Sequence, residues 1–190
     1  MKKRNLAWHF TNGKTLLDGR KIPRDGQWLK HDGPLHLCAS GLHFSREPFG
    51  ALEYAPGATL HLVEIGGEII EPEGENKGVC SMRRSIARMD ATEMLRYFAR
   101  MQALSVVHLW DAPDVVLDYL MTGDEALRGA ARAAAWAAAR GAARAAAWAA
   151  ARAAARCAAR GAAWAAARQE FNELVYECFE GPLAIAGRTK

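Results

Sequence analysis

The chain has 190 residues, a formal net charge of +4 at pH 7 and 51% apolar residues. Its four cysteines, Cys38, Cys80, Cys157 and Cys178, are scattered without close pairing, which excludes a disulfide scaffold and leads us to expect a reducing cytoplasm. No apolar run is long enough to span a bilayer and no signal-peptide core follows the basic start Met1-Lys-Lys-Arg4, so neither a membrane partner nor export is expected.

Residues 1–121 read as an α+β domain, strands first and helices after. Leu6 to Thr11 forms the first expected strand, followed by a turn-rich segment from Gly13 to about Gly26. Leu35 to Ala39 alternates apolar and polar residues and predicts a second strand. Pro48 to Tyr54 predicts a short helix stopped before Pro56-Gly57, and Thr59 to Ile65 is the clearest strand, joined through a Gly66-Gly67 turn to another at Glu68–Glu71. The period then changes to that of a helix over Ala91–Met101. Ser105–Trp110 continues that helix or forms a buried segment, and Ala112-Pro113-Asp114 opens one that runs to Met121. Asp111 and Asp114 are expected to cap it.

From Arg128 to Arg168 every fourth residue is Arg or Trp and nearly everything between is Ala; the block RGAARAAAWAAA at 128–139 recurs unchanged at 140–151. This alanine-rich helical repeat region, residues 122–181, is followed by a tail at 182–190. The repeat contains eight Arg and no acid, so it carries +8 and leaves −4 for the rest of the chain. Alanine and arginine are strong helix formers. Thr122 to Glu125 fits a capping box, and Gly181-Pro182 is a stop signal. A spacing of four advances each Arg or Trp about 40° beyond the last, so the stripe spirals around a straight helix. The expected resolution is a set of short helices that turn at Gly129, Gly141 and Gly161 and return through Phe171–Tyr176 and Phe179 to pack on the N-terminal domain.

Three uses of the stripe are open: a solvated face, a platform for an anionic macromolecule, or a structural and self-associating element. Arginine interleaved with tryptophan suits phosphate contact plus base stacking. The expected anion contacts are Arg132, Arg140, Arg144, Arg152 and Arg156, with Trp136, Trp148 and Trp164 divided between packing and stacking; the partner would be DNA, RNA or an acidic host protein. The spiralling stripe speaks against an interfacial membrane helix.

Two family resemblances arise in the N-terminal domain. Leu37-Cys-Ala-Ser-Gly-Leu-His-Phe-Ser45, a short helix, a tyrosine and a strand ending in Val63-Glu-Ile65 resemble an uncharacterised protein family frequent in phages and prophages, whose members often carry C-terminal repeats. That resemblance implies a bacterial cytoplasm and no established activity. Trp8-His9-Phe10-Thr11, Gly41-Leu-His-Phe-Ser45 and Tyr54 also resemble the NAD-binding half of ADP-ribosyltransferases. The resemblance implies NAD as cofactor and His9, His43 and Tyr54 as the residues that hold nicotinamide and its ribose. His43 stands where those enzymes usually have tyrosine, and no later strand offers their glutamate.

His31, His36, Cys38 and His43 could ligate zinc by type, but their spacings match no zinc module, so no metal site is assigned. Cys80 reads as a buried thiol. The leading expectation is a non-enzymatic binding protein with no cofactor; the alternative is an NAD- or nucleotide-binding transferase-like domain.

Overall fold

The computed structural model describes residues 5–145 and 153–186, with side chains described for 5–138 and 164–186. The fold is α+β, with a strand-rich N-terminal sheet followed by helices. By packing, the chain divides into Met1–Thr92 with Gln169–Lys190 as one compact unit and Glu93–Arg168 as another. Composition changes near residue 121, whereas packing changes at Thr92 and again at Gln169.

The first unit is built on β1 (Leu6–Thr11), β2 (Leu29–Lys30), β3 (Leu42–Ser45), β4 (Thr59–Ile70) and β5 (Lys77–Asp90), with α1 (Pro48–Leu52) after β3. All pairings are antiparallel: β1 lies between β3 and β4, and β5 pairs with β4 along one edge and with β3 and then β2 along the other. Strands β5, β3, β1 and β4 thus close on themselves as a small barrel, which removes their free edges. Alternation puts Ala7, Leu42, Phe44, Val63, Ile65 and Cys80 together inside. Trp8, Phe10, Leu60 and Leu62 take the opposite parity and are buried outside the ring.

The returning helix covers that outer surface. Within α5 (Ala153–Cys178), the part from Gln169 onward belongs to the first unit. Phe171 meets Phe49 edge-on with ring centroids 5.7 Å apart, and Trp8 packs against Tyr176 at 5.9 Å and Phe179 at 5.1 Å. Asn172 fixes the register by accepting the Phe49 N–H at 2.8 Å and donating to the Glu47 carboxylate at 3.1 Å. The expected return through Phe171–Tyr176 and Phe179 is what is found.

Within the second unit, α2 (Thr92–Ser105), α3 (Asp114–Thr122) and α4 (Glu125–Ala145) surround a slight core of Val116, Leu120 and Ala131, joined by Ala103, Leu104, Ala134 and Ala135. Arg100 donates to the Leu120 carbonyl at 3.1 Å, where the end of α3 exposes acceptors.

Several expectations are corrected. Leu35–Ala39 is a tight turn, held by reciprocal His36–Ser40 backbone bonds with Cys38 at φ 64°. Gly66-Gly67 is a bulge inside one long β4, Gly67 supplying φ +71°. The 14-residue β5 went unpredicted because its arginines mask the alternation. Val107–Leu109 is a 3-10 turn in which Val107 packs on the small core while His108 and Leu109 are exposed, and Asp114 makes no side-chain cap on α3. Thr122 donates to the Asp118 carbonyl as α3 ends in left-handed Gly123, and Asp124 caps α4 through the Ala126 N–H at 2.9 Å. Helix α4 runs unbroken through Gly129 and Gly141, and α5 through Gly161. The glycine penalty of about 1 kcal/mol each is small beside the propensity of the surrounding alanines. Gly181 and Pro182 lie in the first turn of α6 (Glu180–Ile185), where proline is tolerated, and the chain turns at Phe179 instead.

Candidate functional site

The inner face of the barrel ends in a polar cleft. Ala7, His9 and Thr11 share a face of β1, and the register of β1 with β4 sets His9 opposite His61. β5 contributes Arg83 and Ser85, and the 12–28 loop covers the opening with Leu16, Ile22, Pro23 and Gln27. The loop is shaped by Asn12, whose side-chain oxygen accepts the Lys14 and Thr15 N–H groups at 2.9 Å each. The cavity offers about 20 Å³ to water-sized centres, the scale of one or two waters.

Its chemistry is cationic and histidine-rich. His61 bonds Thr11 Oγ1 at 2.9 Å through Nε2 and Ser85 Oγ at 2.8 Å through Nδ1, a continuous Thr-His-Ser chain. Burial, with Arg88 and Arg83 nearby, lowers the His61 pKa to about 4. Burial first, then Arg83 and the neighbouring His61 and His43, hold His9 well below the ordinary imidazole value. Both rings are therefore neutral at pH 7. Burial pulls Arg83 down to about 10, which leaves it charged.

The structure brings His9 into this cleft but not His43 or Tyr54. His43 alternates away from Leu42 and Phe44, and its Nε2 accepts the Cys38 N–H at 2.9 Å. Tyr54 is an exposed residue beyond α1, with the Lys77 ammonium 5.5 Å from its ring centroid. His31 bonds Ser40 Oγ at 3.1 Å, and among the described residues no three metal-ligating side chains converge. Cys80 is buried in the barrel, and burial raises its thiol pKa.

On α4, Ala131, Ala134 and Ala135 face the small core while Arg128, Arg132 and Trp136 are exposed one turn apart. Trp136 is 61% exposed and Trp164, on α5, 55%. Arg128 pairs with Glu125 at 3.1 Å. Arg140, Arg144 and Arg156 lie in helices, but their side chains are outside the described residues, as are Trp148 and Arg152 altogether. Among the described residues no helix is long and apolar enough to cross a membrane.

Sequence reasoning missed Arg83, His61 and Ser85. The available signal was Arg83-Arg84: on a strand, two adjacent arginines face opposite ways, so one must point inward.

A domain of unknown function, DUF7666, matches residues 17–97, less than half of the chain. The matched span contains His61, Arg83 and Ser85 but neither His9 nor the alanine-rich repeat. No curated protein and no solved structure matches.

Proposed function

We propose that this chain is a non-enzymatic binding protein whose arginine- and tryptophan-bearing helices engage an anionic macromolecule, with nucleic acid the best-fitting class. The observation that carries this reading is Trp136, 61% exposed and in line with exposed Arg128 and Arg132. A face that served only for solvation would not expose an indole, and it would normally mix charges of both signs. Here the arginines repeat at i,i+4 with no acid in the tract, an arrangement that costs each helix about 0.2–0.5 kcal/mol per like-charged pair. An external polyanion would reverse that repulsion, and the exposed indoles would stack on bases.

An NAD-binding reading draws less support. Of its three residues only His9 lines the cleft, and a cavity of about 20 Å³ for water-sized centres is far below a dinucleotide-sized pocket, on the order of hundreds of Å³.

Chromatography of the intact chain on immobilised heparin and on single-stranded DNA tests the proposal. Retention that falls steeply with salt, and is lost when Arg132, Arg140, Arg144, Arg152 and Arg156 are all replaced by Gln, is the expected result. Flow-through at low salt would remove the polyanion reading.

A further inference from the structure

Three arginines lie on β5, and they are treated differently. Arg84 holds Glu64 at 2.7 Å and stacks over the Trp28 ring, and Arg88 holds Asp25 at 2.9 Å. Arg83 is the most deeply buried, 7% exposed, yet no carboxylate pairs with it among the described residues; its Nη1 donates to the His43 carbonyl. A buried guanidinium without a counter-ion is an uncompensated cost that folding alone does not explain. Trp8 Nε1 is the one fully buried side-chain nitrogen or oxygen without a partner among the described residues, so the donors of Arg83 left over from the His43 bond reach the cleft.

The surroundings fit an anion. The polar lining of the cleft is His9, Thr11, Gln27, His61, Arg83, Arg84 and Ser85, and among the described residues no carboxylate lines it. Asp25 and Glu64, the nearby acids, are already engaged by Arg88 and Arg84. The guanidinium fork presents parallel donors suited to an oxyanion. Both His61 ring nitrogens are engaged, by Thr11 and Ser85, so the further donors are the His9 ring N–H and, when His61 Nδ1 carries the proton, the Ser85 hydroxyl.

We propose that the barrel cleft is an anion-binding site for one phosphoryl oxyanion, as inorganic phosphate or as the terminal group of a phosphomonoester, with Arg83 as its principal ligand. The cavity, of about 20 Å³ for water-sized centres, admits a single such group and excludes a polymer. This site is independent of the arginine-bearing helices, being formed wholly by the first unit.

The test is the melting temperature of the full chain at pH 7 as sodium chloride is exchanged for millimolar phosphate, or for glycerol phosphate, at constant ionic strength. A ligand that binds only the folded chain raises the midpoint in proportion to the logarithm of its concentration. A dose-dependent rise is expected in wild type and in the variant with five tract arginines replaced by Gln, and it should vanish in Arg83→Gln. A rise with phosphate alone identifies the free ion as the ligand; a larger rise with glycerol phosphate identifies the ester. Where Arg83→Gln does not fold by circular dichroism, Ser85→Ala takes its place, with a severalfold weaker response. In wild type, the His9 and His61 ring resonances should shift with phosphate. Equal midpoints in phosphate and chloride, or an unchanged response in the substituted cleft, would overturn the proposal.

Discussion

The barrel unit and the alanine-rich helices use the same residue types for opposite purposes. In the barrel unit Trp8, Phe10 and Phe171 are almost wholly buried, and arginines on or beside the sheet are matched by acids, as in Arg46–Glu71, Arg84–Glu64 and Arg88–Asp25. On the helices Trp136 and Trp164 are largely exposed, and the tract's arginines have no acid among them. Aromatics buried by packing hold a fold together, whereas an exposed indole such as Trp136 is what a partner can use. Arg83 is the informative exception, a buried cation with no carboxylate partner among the described residues.

The comparison breaks most visibly at aromatic truncations. Phe171→Ala empties a fully buried position against Phe49 and should cost about 3–5 kcal/mol in denaturant unfolding. A loss under 1 kcal/mol would mean that the returning helix does not hold the barrel.

The next effect is acid sensitivity. The His61 pKa is about 4 when folded against 6.5 ordinarily, so between those values the unfolded chain binds the extra proton. Its contribution is complete above pH 6.5 and is lost as pH falls toward 4, amounting to about 3 kcal/mol. Burial lowers its pKa most, then the charges of Arg88 and Arg83, with Ser85 and Thr11 as its hydrogen-bond partners. Stability measured across this range should flatten by that amount in His61→Gln; an unaltered slope would place the titration elsewhere.

Gly78→Ala sharpens the picture of the barrel interior. A Cβ there would meet the Phe44 ring, and shifting that ring should cost about 1–3 kcal/mol by thermal unfolding. Smallest in stability is Trp136→Ala, expected within about 0.5 kcal/mol of wild type because the indole is exposed. The same variant should lose severalfold in single-stranded DNA affinity at fixed salt. A large stability loss with unchanged affinity would turn the exposed indole into a packing residue.

The sequence was legible where local pattern and tertiary demand agree. Leu6–Thr11 is a short run rich in apolar and aromatic residues and is β1 without a shift, and Phe171, Tyr176 and Phe179 stand out as the apolar residues able to bring the last helix home. It misled where a long-range partner decides. Arg84 and Arg88 are tolerable on β5 only because Glu64 and Asp25 come from other segments, so Lys77–Asp90 lacks a strand pattern of its own. The cleft was half visible: His9 was singled out, but its neighbours His61, Arg83 and Ser85 reach it through the β4–β5 pairing, which spacing does not reveal. The glycines misled in the other direction, since Gly129, Gly141 and Gly161 are absorbed by uninterrupted helix.

The arginines of the alanine-rich tract, which has no acid of its own, are proposed to serve an anionic partner. The most direct measurement is the anisotropy of a labelled single-stranded oligonucleotide titrated with the intact chain over a salt series, beside the variant in which Arg132, Arg140, Arg144, Arg152 and Arg156 are Gln. A logarithmic salt slope of magnitude about 3 or more is expected for wild type, at about 0.7 per neutralised phosphate on single strands, with its collapse in the variant. No binding at low salt, or a slope that the five substitutions leave intact, would contradict it.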